Sequence, residues 1–262
     1  MPPRRRSRFL PRVCAASLIA CLTLPPAAAQ PVPDCPEAPV TPVPVPNLRR
    51  ALAADAELVV VAVGSSSTQG VMASDRAHSY PAVLQAELAA ALPRSHVAVL
   101  NRGIGGQDAT EQLARMDADV IAARPALVVW QVGANAVLRR TDPEAFKRLV
   151  AAGVRRLHAA GADVVLVDNQ RAPAILDMPG HERIVRALAE AATETGAGLF
   201  SRDALMARWE RDGHPRGGFI APDGLHHNDR GYRCVARALA AAVLEGLDPA
   251  ATARATSVAA RR

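Results

Sequence analysis

Aromatic side chains are scarce, only 3% of the chain. That weighs against a module that binds glycans on exposed rings. With no basic cluster interleaved with aromatics, it also weighs against a stacking surface for nucleic acid. No C-x-x-C or H-E-x-x-H occurs, so no zinc-ligand spacing is present. The longest uncharged run near the start, Val13 to Leu24, falls short of the roughly 20 residues that cross a bilayer. No Lys follows the glycine-bounded loop Gly64 to Gly70, which excludes a Walker phosphate loop. Thr68 stands where a G-x-S-x-G elbow wants glycine. There is no internal repeat.

The chain opens with Arg4, Arg5, Arg6, Arg8 and Arg12, then an apolar stretch, then Pro25-Pro26-Ala27-Ala28-Ala29. That order predicts a secretory signal peptide over residues 1–29, cut after Ala29. Leu18-Ile19-Ala20-Cys21 also suits a lipid anchor at Cys21, which stays open as a second reading. The arginines beside Phe9-Leu10 only loosely resemble a twin-arginine signal. Removing residues 1–29 takes five arginines and no acids from a net charge of +6, leaving about +1. The basic balance therefore belongs to the leader, and no nucleic-acid partner is expected. Of 4 cysteines, Cys14 and Cys21 fall in the leader. Cys35 and Cys234 remain as a disulfide candidate, or as two free thiols, in a compartment that permits pairing.

Residues 30–47 carry seven prolines, Pro31 to Pro46, and read as a Pro-rich linker or an arm lying along the domain. The globular part is expected over 48–247, with a frayed Ala- and Arg-rich tail over 248–262. Inside it, strand-like and helix-like segments alternate. Val59–Val63 is a buried strand, and Ser79–Leu92 a helix. Val97–Leu100 is a strand ending in Asn101-Arg102-Gly103. Ala109–Ala123 is one helix, broken by Pro125. Ala126–Val132 is a strand interrupted late by Gln131, and Pro143–Ala160 a helix. Asp163–Val167 is a strand, His181–Thr195 a helix, Gly198–Phe200 a short strand, and Asp229–Leu247 a final helix. The alternation predicts a three-layer α/β/α domain with about five parallel strands and right-handed crossovers. Ligands of such sheets bind beyond the carboxyl ends of the strands.

Four polar segments should share that rim: Gly64-Ser65-Ser66-Ser67-Thr68, Asn101-Arg102-Gly103, Gly133-Ala134-Asn135 and Asp223-Gly224-Leu225-His226. Asp and His three residues apart in a helical turn lie on one face. The carboxylate can then fix the imidazole tautomer that takes a serine proton. Taken singly, each segment is an ordinary turn; all four, each after a strand, point to nucleophilic catalysis.

In this order the segments resemble the SGNH (GDSL-type) hydrolase superfamily, over the whole globular part. The resemblance implies Ser66 as nucleophile, His226 as base and Asp223 as its partner. It implies oxyanion donors at the Ser66 amide, the Gly103 amide and the Asn135 side chain. It also implies a flavodoxin-like sheet that needs no metal or cofactor. Two residues depart from the pattern. Ser65 stands where the family usually has Asp, and Ala136 stands where an Asp often follows the Asn. Both acids support loop geometry, so Ser65 and Ser67 stay open as rivals to Ser66. Asn169, Gln170 and His227 are expected to line the cleft, and Trp130 to be core.

The expected activity is hydrolysis of small-acyl esters, O-acetyl carbohydrates included, outside the cytoplasm and with no obligatory membrane span. A sugar hydroxyl in place of water would make the same chemistry an O-acyltransferase. A fold kept for glycan or envelope binding, without catalysis, is the third reading. The oligomeric state has no signal in the sequence.

Overall fold

The computed structural model describes residues 35–39 and 41–248. The expected leader, Cys21 and the tail beyond Asp248 lie outside these residues.

Five strands form one parallel sheet in the order β2-β1-β3-β4-β5. They are β1 (Leu58–Gly64), β2 (Val97–Gly103), β3 (Leu127–Gln131), β4 (Asp163–Val167) and β5 (Gly198–Phe200). Central strands β3 and β4 are buried along their whole length, which is why they read as near-continuous apolar runs. The chain moves one way from β1 to β2, then back across β1 to β3, β4 and β5. Right-handed crossovers therefore put the first connection on one face and the later ones on the other. Helix α3 (Tyr80–Ala91) packs with the last helix, α11 (Asp229–Gly246), on the first face. Helices α7 (Pro143–Ala159) and α9 (His181–Thr195) pack together on the second. The reversal of direction beside β1 and β3 is the point where open α/β sheets take their ligands.

Several expectations change in detail. Strand β2 runs on through Asn101-Arg102-Gly103, which pair with Ala62, Val63 and Gly64. Residues 109–123 are not one helix but α4 (Ala109–Ala114), α5 (Met116–Asp119) and a short 3-10 turn. The break falls at Arg115, whose guanidinium turns down to the carbonyl oxygens of Gly64 and Arg102. The Pro-rich stretch ends in a helix, α1 (Pro46–Ala53), because Pro46 sits at the first helical position, where a missing N–H costs nothing. Helix α10 (Arg202–Arg211) has no counterpart in the sequence reading; nearly all of its buried face is Arg202, Leu205, Met206 and Trp209. The remaining short helices are α2 (Ser66–Gln69), α6 (Ala134–Leu138) and α8 (Pro173–Leu176).

The Pro-rich segment is an arm, not a free linker. Val43 and Val45 are each 1% exposed, and the Val43 amide donates to Ala242 O at 3.2 Å. Cys35 is bonded to Cys234 of α11, with Cα atoms 5.3 Å apart, within the usual range. The bridge closes a loop of 199 residues, so it limits the unfolded chain strongly. Replacing both cysteines with serine is expected to cost at least about 2 kcal/mol, or several degrees in melting temperature. Thermal unfolding followed by circular dichroism checks this; an unchanged midpoint would mean that arm burial suffices without the bond.

Candidate active site

Strands β1 and β2 both end in glycine because α2 lies directly across them. A Cβ on Gly103 would fall 2.1 Å from Gln69 N, and one on Gly64 would fall 2.2 Å from Thr68 Oγ1. Helix α2 is held from β3 as well. Gln131, the polar residue that ends β3, is 1% exposed, and its Oε1 accepts from three groups. These are the Ser65 amide at 3.1 Å, the Ser65 hydroxyl at 3.2 Å and the Thr68 hydroxyl at 3.3 Å. The buried Tyr80 hydroxyl meets Thr68 Oγ1 at 3.0 Å, and burial raises its pKa to about 12. Ser65 is therefore a buried part of the support, 3% exposed, Ser67 is buried at 2%, and Ser66 is the one of the three whose hydroxyl meets an imidazole.

His226 Nε2 lies 2.7 Å from Ser66 Oγ, while its Nδ1 lies 2.6 Å from Asp223 Oδ2. A carboxylate only accepts, so Nδ1 carries the proton and Nε2 is left bare to receive one from Ser66. The segment is not the helical turn expected from the Asp–His spacing. It is a turn built by Asp223, whose Oδ1 accepts from the amides of Leu225 and His226, each at 3.0 Å. Burial works to raise the Asp223 pKa, but the His226 ring and these two amides outweigh it and hold the carboxyl below its ordinary range.

The donors on the opposite side differ from expectation. The Gly103 amide is already committed to Asn101 Oδ1 at 2.9 Å, and the Gly105 amide to Gln69 Oε1 at 2.9 Å. Gly103 is glycine for close packing, not for an open amide. The next glycine, Gly106, has an amide without an acceptor among the described residues and open space where a Cβ would stand. This loop adjoins the serine, since a Cβ on Gly105 would lie 3.9 Å from Ser66 Cβ. Asn135 donates one Nδ2 hydrogen to Gln107 O at 2.9 Å, leaving the other free. Arg139, at the end of α6, clamps the loop: its guanidinium donates to Gly106 O at 2.8 Å and to Asp108 and Glu111. These carboxylates raise its pKa.

The three cleft-lining expectations are corrected. Asn169, Gln170 and His227 are 1%, 1% and 0% exposed, so they lie beneath the surface. Gln170 Nε2 donates to Leu225 O at 2.8 Å, which braces the Asp223–His226 segment from below. Its Oε1 accepts from Arg202 at 2.8 Å, and Arg202 also donates to Asp168 O at 2.8 and 3.1 Å. Burial raises Asp168 to about 6 and lowers Arg202. The Asn169 amide atoms have no partner among the described residues. His227 donates from Nδ1 to Phe219 O at 3.0 Å. Trp130 is core, as expected, with its Nε1 donating to Gln112 at 2.7 Å.

Gln131, Gly106, Arg139 and Arg202 were not singled out from the sequence. A signal existed for Gln131, the one polar residue interrupting an apolar strand at its carboxyl end. Among the described residues no cluster of three or more His, Cys, Asp or Glu could hold a metal ion, and no helix is long and apolar enough to cross a membrane.

A doubly wound five-stranded parallel sheet, with four polar segments in this order on its carboxyl rim, defines an SGNH-type hydrolase fold. Residues 33–249 match the Non-GDSL lipase-like family, and the chain belongs to it. Among solved structures the chain is similar to a two-domain esterase active on acetylated mannans, at 23% identity and a TM-score of 0.67. That match covers 79% of this chain but 54% of the other, so the chain spans about half of that protein's length. It is also similar to Axe2, an acetylxylan esterase from Geobacillus stearothermophilus, at 20% identity and a TM-score of 0.60, covering 72% of this chain and 94% of that one. A third likeness is to LAE5, an alpha/beta hydrolase enzyme from the metagenome of Lake Arreo, Spain, at 21% identity and a TM-score of 0.61, covering 71% and 94%. At these identities the likeness is one of fold. No curated protein matches the sequence.

His227 provides a test of the buried layer under the site. Burial, and then the charge of Arg202, push its pKa down to about 3, against about 6.5 in an unfolded chain. Between those values the unfolded state binds the extra proton. The contribution of the neutral ring is thus complete above pH 6.5 and is lost as pH falls toward 3. The stability advantage of the parent over His227→Gln is expected to shrink steadily from pH 7 to pH 4 in urea unfolding. Asp168 titrates in both proteins and drops out of the difference. A pH-independent difference would show that the ring is not held neutral.

Proposed function

We propose that the chain is a serine esterase of the secreted or periplasmic space, acting on small-acyl esters and on O-acetyl carbohydrates in particular. The observation that carries this reading is the unbroken line of hydrogen bonds from Asp223 through His226 to Ser66, 2.6 and 2.7 Å long. Ser66 Oγ attacks the ester carbonyl carbon while His226 Nε2 takes its proton, and Asp223 stabilises the imidazolium that results. The oxygen, now negative, receives the amides of Ser66 and Gly106 and the free Nδ2 hydrogen of Asn135. As the tetrahedral adduct collapses, His226 returns the proton to the departing alcohol. Water then enters and attacks the acyl carbon as His226 takes its proton, and His226 passes that proton to Ser66 Oγ as the acid leaves.

The acetyl specificity draws support from the fold neighbours active on acetylated mannans and xylan. Export draws support from the leader-like N-terminus and from the Cys35–Cys234 bond, which belongs to oxidising compartments.

Ser66→Ala is expected to reduce hydrolysis of 4-nitrophenyl acetate to background with the circular dichroism spectrum intact. Equal turnover would reject Ser66 and turn attention to Ser65 and Ser67. Asn135→Ala, which removes one oxyanion donor, is expected to lower kcat by roughly 10²–10³-fold with little change in KM. A KM effect of that size with unchanged kcat would instead assign Asn135 to substrate binding.

A further inference from the structure

Every Trp and Tyr, and every described Phe, is buried, so no exposed aromatic ring is available to a ligand among the described residues. The large apolar side chains that are exposed are Met72 and Ile104, each at 44%. Both adjoin the serine's turn. The Val71 amide donates to Ser66 O at 3.0 Å, and Met72 follows in a left-handed conformation, φ 68°, that a side chain rarely adopts. Ile104 precedes Gly105, the glycine whose Cβ would stand 3.9 Å from Ser66 Cβ.

Lining residues Val71 and Gly103, the chain neighbours of these two side chains, bound a groove of about 770 Å³. That size lies within the range of small-molecule sites. Gln69, three residues after Ser66 in the same short helix and so on its face, also lines it, as does Gly70, which caps that helix. No acid lines the groove. Of its three carboxamides Asn101 is bonded through both its oxygen and its nitrogen and two are half used: Gln69 Oε1 accepts from Gly105 N, and Gln85 Oε1 accepts from Val99 N at 2.8 Å. Their Nε2 groups have no acceptor among the described residues, and the Arg76 guanidinium has no ion-pair partner there. The groove thus offers hydrogen-bond donors along its wall, and Met72 and Ile104 each stand one residue along the chain from a residue that lines it. A sugar ring presents the complement, oxygen acceptors around its edge and C–H groups on its faces.

We propose that this groove seats the oligosaccharide on the alcohol side of the ester, with Met72 and Ile104 covering its C–H faces in place of aromatic rings. The proposal rests on the reading of Ser66 as an esterase nucleophile. Acetylated xylo- and manno-oligosaccharides of two to six sugars are the probes, with 4-nitrophenyl acetate as the small ester. In the parent, kcat/KM on the oligosaccharides is expected to rise with chain length. The ratio of that value to the 4-nitrophenyl acetate value is expected to fall tenfold or more in Ala82→Trp, which fills the groove. Arg76→Ala, which alters only an exposed side chain, is expected to lower the same ratio severalfold and covers the case in which the tryptophan variant misfolds. A ratio unchanged in both variants overturns the proposal while leaving the esterase reading standing. Binding of the same oligosaccharides to Ser66→Ala protein by titration calorimetry reads the groove without turnover. Loss of affinity on adding Ala82→Trp or Arg76→Ala supports the groove even if no ester is hydrolysed, which would sink only the esterase reading. Equal affinity with and without those changes, or no binding of either oligosaccharide series, rejects the groove.

Discussion

The structure turns on one buried carboxamide oxygen. Gln131 Oε1 gathers the amide and hydroxyl of Ser65 and the hydroxyl of Thr68 at the junction of β1 and β3. Those donors belong to the turn that leaves β1, so a side chain on one strand fixes how the chain departs from its neighbour. An unpaired buried polar group costs roughly 1–3 kcal/mol, so the turn has little freedom to be elsewhere. Once α2 is pinned, Gly64 and Gly103 have no room for side chains. Ser66 is then the residue that the helix turns outward.

His226 is positioned by a separate device, and its Nε2 meets Ser66 Oγ. Asp223 uses one oxygen to shape its own turn and the other to orient His226. Beneath it, Gln170 ties Leu225 to the buried Arg202, which is tied to the end of β4 through Asp168 O. A buried cation is costly to leave uncompensated. Here Asp168 supplies the opposing charge, and backbone and carboxamide oxygens take the guanidinium hydrogens. The Asp223–His226 segment therefore rests on the sheet through neutral hydrogen bonds that end in a charged anchor. Loops that carry function are mobile unless a rigid scaffold holds them, and this layer of side chains is the scaffold's reach into the loop.

What could be read from sequence follows what is local. Strands announced by runs such as Val59–Val63 and Ala126–Val132 lie where expected, because burial on both faces leaves no other composition. The contact between Ser66 and the Asp223–His226 segment follows from strand ends that share one rim, which the alternation of strands and helices made legible. The misreadings concern side-chain contacts, near and far along the chain, that periodicity does not carry. Gly103 looked like an open amide, yet Asn101, two residues earlier, occupies it. Asn169 and Gln170 follow a strand end and so promised a cleft, but α10, absent from the sequence reading, brings Arg202 against Gln170 and the end of β4. Helix α10 was missed because its buried face includes an arginine, which breaks the apolar period that announces a helix.

The two departures from the family pattern have a common consequence for charge. Ser65 presents donors, an amide and a hydroxyl, and the carbonyl end of Gln131 answers them. An aspartate there would keep the amide donor but offer a carboxylate acceptor in place of the hydroxyl, which the carboxamide oxygen could not answer. The serine puts no negative charge beneath Ser66. Ala136, 2% exposed, likewise buries a methyl group where an acid would need a partner. Support for the Gly105–Gly106 loop comes from the rim, where Arg139 ties the Gly106 carbonyl and the Asp108 and Glu111 carboxylates to the end of α6. The ionised supports of this loop therefore stand on its solvent-facing side, where water screens them.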